Sequence, residues 1–125
     1  MNNNELEKCW NDYYKHHFLN AKNKLIEHYY SRVITIAYKT HNQFANHNAE
    51  FQVGDLISYG SSGLIEAIEK YNPNNSAKAS FMSFAYPRIK GSMVDGMRQE
   101  GSVKRRACEI LRLYDTVRQE LRSSL

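Results

Sequence analysis

Cysteine is nearly missing from this chain: two residues in 125, Cys9 and Cys108, with no CxxC pair. A disulfide-stapled scaffold and a cysteine zinc site are thereby excluded, and reduced thiols of a cytosolic protein are expected. Proline is as scarce, at positions 73 and 87. No apolar run approaches the roughly 18–20 residues that span a bilayer. The first residues, Met1-Asn2-Asn3-Asn4-Glu5, lack the basic and then apolar layout of a signal peptide. The expected location is therefore cytoplasmic, with no membrane partner. The histidines (16, 17, 28, 41 and 47) show no paired metal spacing and no cysteine beside them. A Gly-rich phosphate loop, a nucleophile motif and a credible carboxylate dyad are also lacking, so the chain reads as no enzyme and needs no cofactor.

What is present suits one globular domain. Apolar residues make up 42% and charged residues 24%, enough for a core and a solvated surface. Aromatics reach 12%, nine of them tyrosine, a residue at home on half-wet surfaces. The net charge of +4 is unevenly spread. Residues 1–85 balance eight Lys/Arg against eight Asp/Glu, while residues 86–125 hold nine against five. All of the excess lies in the last third. A localised basic surface suits a polyanion, although a merely solvated charged face has the same composition.

Apolar spacing predicts helices joined by polar breaks. Residues 5–18 carry Leu6, Trp10, Tyr13, Tyr14 and Phe18 at helical intervals. Residues 21–40 carry Leu25, Ile26, Tyr29, Val33, Ile36 and Ala37. The polar stretch His41 to Gln52 reads as a loop. Asp55 is placed to cap a helix running to about Lys70. Gly60 and Gly63 each cost that helix about 1 kcal/mol relative to Ala, so another helix is expected to come close there. Asn72-Pro73-Asn74-Asn75-Ser76 is turn chemistry. A helix follows from about Ser80 to Arg98, with Pro87 expected to kink or bound it. Gly101-Ser102 reads as a break, and Val103 to Leu121 as a last helix with Val103, Ala107, Ile110, Leu111, Tyr114, Val117 and Leu121 as its apolar stripe. No alternating strand pattern competes. The expected fold is all-α, a compact bundle of about five helices.

Three stretches go further. Asp55 to Pro73 reads D-L-I-S-Y-G-S-S-G-L-I-E-A-I-E-K-Y-N-P. Ser80 to Arg98 reads S-F-M-S-F-A-Y-P-R-I-K-G-S-M-V-D-G-M-R. Ser102 to Ile110 reads S-V-K-R-R-A-C-E-I. Together with Leu25 to Ala37, these resemble region 2 of the sigma-70 family of RNA polymerase sigma factors, nearest its flagellar and sporulation types. The resemblance covers roughly residues 5–112. It implies the region 2 fold as one structural domain, with residues 1–52 as N-terminal helices and 53–125 as the core of region 2 plus a C-terminal helix.

It also implies partners: the β′ clamp helices of core RNA polymerase and the promoter −10 element, with an anti-sigma factor as a further candidate. The polymerase-facing residues implied are Asp55, Ser58, Tyr59, Ser61, Ser62 and Ile65, where a plain amphipathic helix would show the same polar face. The implied DNA-binding set is Phe84, Tyr86, Arg88, Lys90, Asp95, Arg98, Lys104 and Arg105. Their chemistry is apt: rings stack on unpaired bases, cations meet phosphates, Arg bridges guanine and a carboxylate accepts from cytosine. Phe84 matches the aromatic that the resemblance implies beside an extruded adenine. Phe81 and Phe84 also suit a core.

The chain departs from the flagellar pattern at several places: Ser61-Ser62 stand where relatives often carry one apolar residue, the loop Asn74 to Ala79 is a residue or two longer than usual, and Phe84 replaces the more common Tyr. Those members carry D-W-V-P-R before the S-V-R-R segment, whereas Gln99-Glu100-Gly101 leads straight to Ser102 here. Full-length members continue into a −10-extension domain and a helix-turn-helix domain, which these 125 residues do not hold. A second reading therefore stays open: a sigma-like interaction module that binds polymerase or an anti-sigma factor and engages promoter DNA weakly.

Overall fold

Asn2 starts the first helix. Its Oδ1 accepts the backbone N–H of Glu5 at 2.8 Å, filling one of the donors a helix start leaves open. Glu5 also puts an anion in the first turn, where the helix dipole favours it. The computed structural model describes residues 1–44 and 51–123, and within them leaves aside the side chains at 102–105, 107 and 108. It places α1 at Asn3–His16, α2 at Leu19–Phe44, α3 at Val53–Lys70 and α4 at Phe81–Ser123. The described residues contain no strand, so the all-α fold expected from periodicity is the one observed. No described helix is long and apolar enough to cross a membrane.

Helix α1 stops where His17 turns left-handed (φ 53°) and donates its N–H to Tyr13 O at 2.8 Å. Helix α2 runs four residues past Thr40, so His41 to Phe44, expected in a loop, are helical. His41 Nε2 lies 3.0 Å from Phe51 O, an anchor that the polar composition did not reveal. The remainder of that expected loop, 45–50, lies outside the described residues.

Gln52, not Asp55, occupies the cap position of α3. Asp55 sits a turn inside, and its carboxylate accepts the backbone N–H of Gln52 at 3.2 Å. An acidic residue three positions into a helix can reach back to the cap as readily as it can be the cap, so composition alone misplaced the start. Between α3 and α4, Asn75 Oδ1 accepts from Ala79 N at 2.9 Å and Tyr71 OH donates to Ala79 O at 2.6 Å, closing the turn expected at 72–76.

Helix α4 is continuous through Pro87 and through Gly101-Ser102, where a break was expected. Pro87 lies in the second turn and removes a single ladder bond. Gly101 keeps negative φ, as every described glycine does, and so supplies no left-handed turn to end the helix.

The core lies where α2, α3 and α4 meet. Leu25, Val33, Leu56, Leu64, Ile68, Ile89 and Met93 are fully buried there. At one end Trp10 packs on Phe81 at 5.0 Å between centroids and on Tyr71 at 5.2 Å, while its Nε1 donates to Tyr29 OH at 3.3 Å. That bond leaves the indole N–H satisfied inside an aromatic cluster. The close approach expected at Gly60 and Gly63 is present. A Cβ on Gly63 would stand 2.9 Å from Arg88 O and 3.0 Å from Ile89 Cα of α4, and one on Gly60 would meet the end of Met93.

Candidate nucleic-acid and protein interface

Ser80 fixes how α4 begins. Its Oγ accepts from Ser83 N at 3.2 Å, and its carbonyl accepts from Phe84 N. From that start, Phe81 and Ala85 turn into the core, as does Ile89. Phe84, Arg88, Asp95 and Arg98 follow at intervals of four, seven and three, so they share one flank of the helix.

Phe84 is half-buried. One side of its ring packs on Tyr71 at 5.4 Å between centroids. The Arg88 guanidinium lies over the ring at 3.8 Å, and its Nη1 donates to Phe84 O at 3.1 Å. Cation–π attraction thus holds this Arg on the face of the Phe84 ring. Asp95 and Arg98, two and three turns further on, are exposed.

Tyr86 and Lys90 belong elsewhere. Two residues along a helix turn the side chain by about 200°, so they sit on the opposite flank of α4 from Phe84 and Arg88. Tyr86 is 43% exposed and Lys90 is partly covered. The expected DNA-binding set is therefore divided between two flanks, and not gathered on one. The side chains of Lys104 and Arg105 lie outside the described residues, whereas Arg106 is exposed.

On α3, Ser58 and Ser62 are exposed, and Asp55 and Ile65 are partly so. Ser61 turns back on its own helix and donates to Ile57 O at 2.7 Å. Tyr59 leans across to α4. Its ring lies on Gly96 and its hydroxyl donates to the Glu100 carboxylate. Tyr59, Ser62, Ser92, Asp95, Gly96, Gln99 and Glu100 line an open groove of about 450 Å³. That groove joins the outer face of α3 to the Asp95 flank of α4, so the two expected sites are neighbours.

Sequence reasoning missed Gly96 and Glu100. Gly96 had a readable signal, since it is a second glycine, after Gly91, inside the helix expected from Ser80 to Arg98. Glu100 had none, because its role depends on a tyrosine 41 positions away.

The family described as Sigma-70 region 2 matches residues 25–103. The RNA polymerase sigma factor FliA of Pseudomonas aeruginosa is 38% identical over 80 residues, 64% of this chain and 30% of that protein. The RNA polymerase sigma-D factor of Bacillus subtilis is 40% identical over 55 residues, 44% of this chain and 21% of that protein. The Escherichia coli K12 FliA is 32% identical over 77 residues, covering 58% and 31%. The chain thus spans less than a third of the length of these relatives. No solved structure matches it.

Proposed function

Since the chain belongs to the Sigma-70 region 2 family, we propose that it is the promoter-engaging part of an RNA polymerase sigma factor, docking on core polymerase through α3 and holding the unpaired −10 strand along α4. The observation that carries this reading is the single flank formed by Phe84, Arg88, Asp95 and Arg98, whose Asp95 shares a groove with the exposed Ser62 of α3. It offers a stacking ring, two cations and a hydrogen-bond acceptor in one row, the chemistry that an unpaired strand requires.

In this reading Arg88 leaves the Phe84 ring when a base arrives and turns to the strand. The arriving base replaces the guanidinium on the ring, so the exchange keeps the face covered. Opening of the duplex is driven by binding: extrusion of a base costs a few kcal/mol, and stacking offsets it. Tyr86 and Lys90, on the other flank, meet a different part of the DNA or none. Lys104 and Arg105, with Arg106, contact phosphates and fix position without reading sequence. Tyr59, Asp55, Ile65 and Ser61 belong to the polymerase side along with the two exposed serines.

The test is a pull-down with core polymerase, followed by binding of a fluorescent −10 non-template strand at several salt concentrations. Phe84→Ala is expected to weaken strand binding by about 1–3 kcal/mol. Unaltered affinity in that variant overturns the stacking role. Polymerase binding with no strand binding favours the interaction module instead, and the guanidinium already seated on Phe84 is the feature that supports that alternative.

A further inference from the structure

Past Gly101, α4 leaves the bundle. Every described side chain from Glu109 to Ser123 is exposed, yet six of them are large and apolar. Ile110, Leu111, Leu113, Tyr114 and Leu121 are each 62–67% exposed, and Val117 is 48% exposed. Soluble monomers seldom expose a contiguous apolar patch of more than a few hundred Å².

The order of these residues is regular. Ile110, Tyr114, Val117 and Leu121 follow intervals of four, three and four, and Val103 and Ala107 continue the same spacing upstream in the sequence. That is the repeat of a two-helix seam. Glu109, Arg112, Asp115, Thr116, Gln119 and Arg122 take the outward positions, and all are polar. Leu111 and Leu113 belong to neither group, being apolar at the two positions that flank the seam.

We propose that this segment pairs with the same segment of a second copy, antiparallel, as a short coiled coil centred on Arg112. The flanking leucines carry the choice of partner. About a two-fold axis at Arg112, Ile110 faces Tyr114 of the second copy, Leu111 meets Leu111, and Leu113 meets Leu113. The apolar flanks thus fall together at the middle of the pair. In a parallel pair, Leu113 would instead lie beside Arg118. The antiparallel register also sets Arg106 opposite Glu120 of the second copy, twice by symmetry. By sequence position alone, it sets Lys104 opposite Arg118, a like-charged pair.

The size is adequate. The six apolar side chains expose on the order of 600 Å² per copy, near the roughly 800 Å² per partner of a stable interface. The seam from Ile110 to Leu121 holds none of the residues assigned to the promoter-engaging site, and Arg106, assigned there to phosphates, is the described residue the two readings share.

Sedimentation equilibrium of the 125-residue chain tests this. A concentration-dependent dimer is expected. Tyr114→Glu, at an exposed position of the arm, is expected to weaken it at least tenfold with helical content and melting of the bundle unchanged. Arg118→Glu is expected to tighten it by removing the repulsion from Lys104, and Arg106→Glu to weaken it, with Arg106→Glu/Glu120→Arg restoring it. A monomer at every concentration overturns the proposal and leaves the face to a different chain. A dimer indifferent to Tyr114→Glu overturns the choice of surface. Weakening by Arg118→Glu overturns the antiparallel register.

Discussion

The ring of Tyr59 in α3 lies flat against Gly96 in α4, so close that no side chain fits at position 96: a Cβ there would fall within 2.7 Å of Tyr59 Cδ1. The contact lets the Tyr59 hydroxyl reach the Glu100 carboxylate one turn on. It ties the face assigned to polymerase to the helix assigned to DNA.

Gly96→Ala is therefore expected to destabilise, although alanine is the better helix former by about 1 kcal/mol. The ring must swing away from α4, at a cost typical of overpacking, about 1–3 kcal/mol. Urea unfolding measures the loss. A gain in stability would show that the ring moves freely.

Gly63 and Gly60 should differ. An added methyl at Gly63 meets the carbonyl of Arg88 and the Cα of Ile89, which are backbone and cannot step aside. At Gly60 the nearest obstacle is the end of the Met93 side chain, which can change rotamer. Gly63→Ala is expected to cost more than Gly60→Ala by about 1 kcal/mol or more, within the range of core overpacking. Comparing the two unfolding midpoints decides it.

Burial holds the His28 imidazole below its ordinary value of 6.5, and the N-terminal ammonium and Arg32 push the same way. The unfolded chain then takes up a proton on His28 at a higher pH than the folded one. Stability attached to this group is present above pH 6.5 and declines as pH falls through 6.5 to the folded value. His28→Asn should flatten the melting temperature over that acidic window relative to the unaltered chain. An unchanged slope would separate the imidazole from acid sensitivity.

Lys22 behaves in the opposite sense. Its Nζ donates to Glu69 Oε1 at 2.6 Å, a bond that raises the ammonium above its ordinary value although desolvation opposes it. Its contribution is complete below about pH 10.5 and disappears as pH rises through the folded value. Because the pair is partly solvated, Lys22→Ala is expected to cost less than about 1 kcal/mol at neutral pH. A thermal melt at pH 7 and at high ionic strength measures it, the difference shrinking with salt.

Arg98→Ala tests the electrostatic part of DNA engagement. Arg98 is exposed on the Phe84 flank. If it meets a phosphate, its loss should lower the salt slope of strand binding by about one. The same slope with weaker affinity at every salt would indicate contact with a base.

The chain order itself settled much of this protein. Apolar spacing placed Trp10, Leu25, Val33, Leu64 and Ile68 inside, because a helix must bury one stripe wherever it packs. Gly60 and Gly63 announced a close helix, because nothing else repays a glycine in mid-helix. Three motif stretches pointed to the family, since residue identity at fixed intervals survives without any knowledge of shape. The tertiary structure alone decided that Gly101 continues a helix and that Arg88 covers Phe84. It alone paired Tyr59 with Gly96 and Glu100. The Tyr59 contacts depend on which helix stands opposite and at what rotation, and the hydroxyl's partner Glu100 lies 41 residues away, beyond the reach of a local pattern.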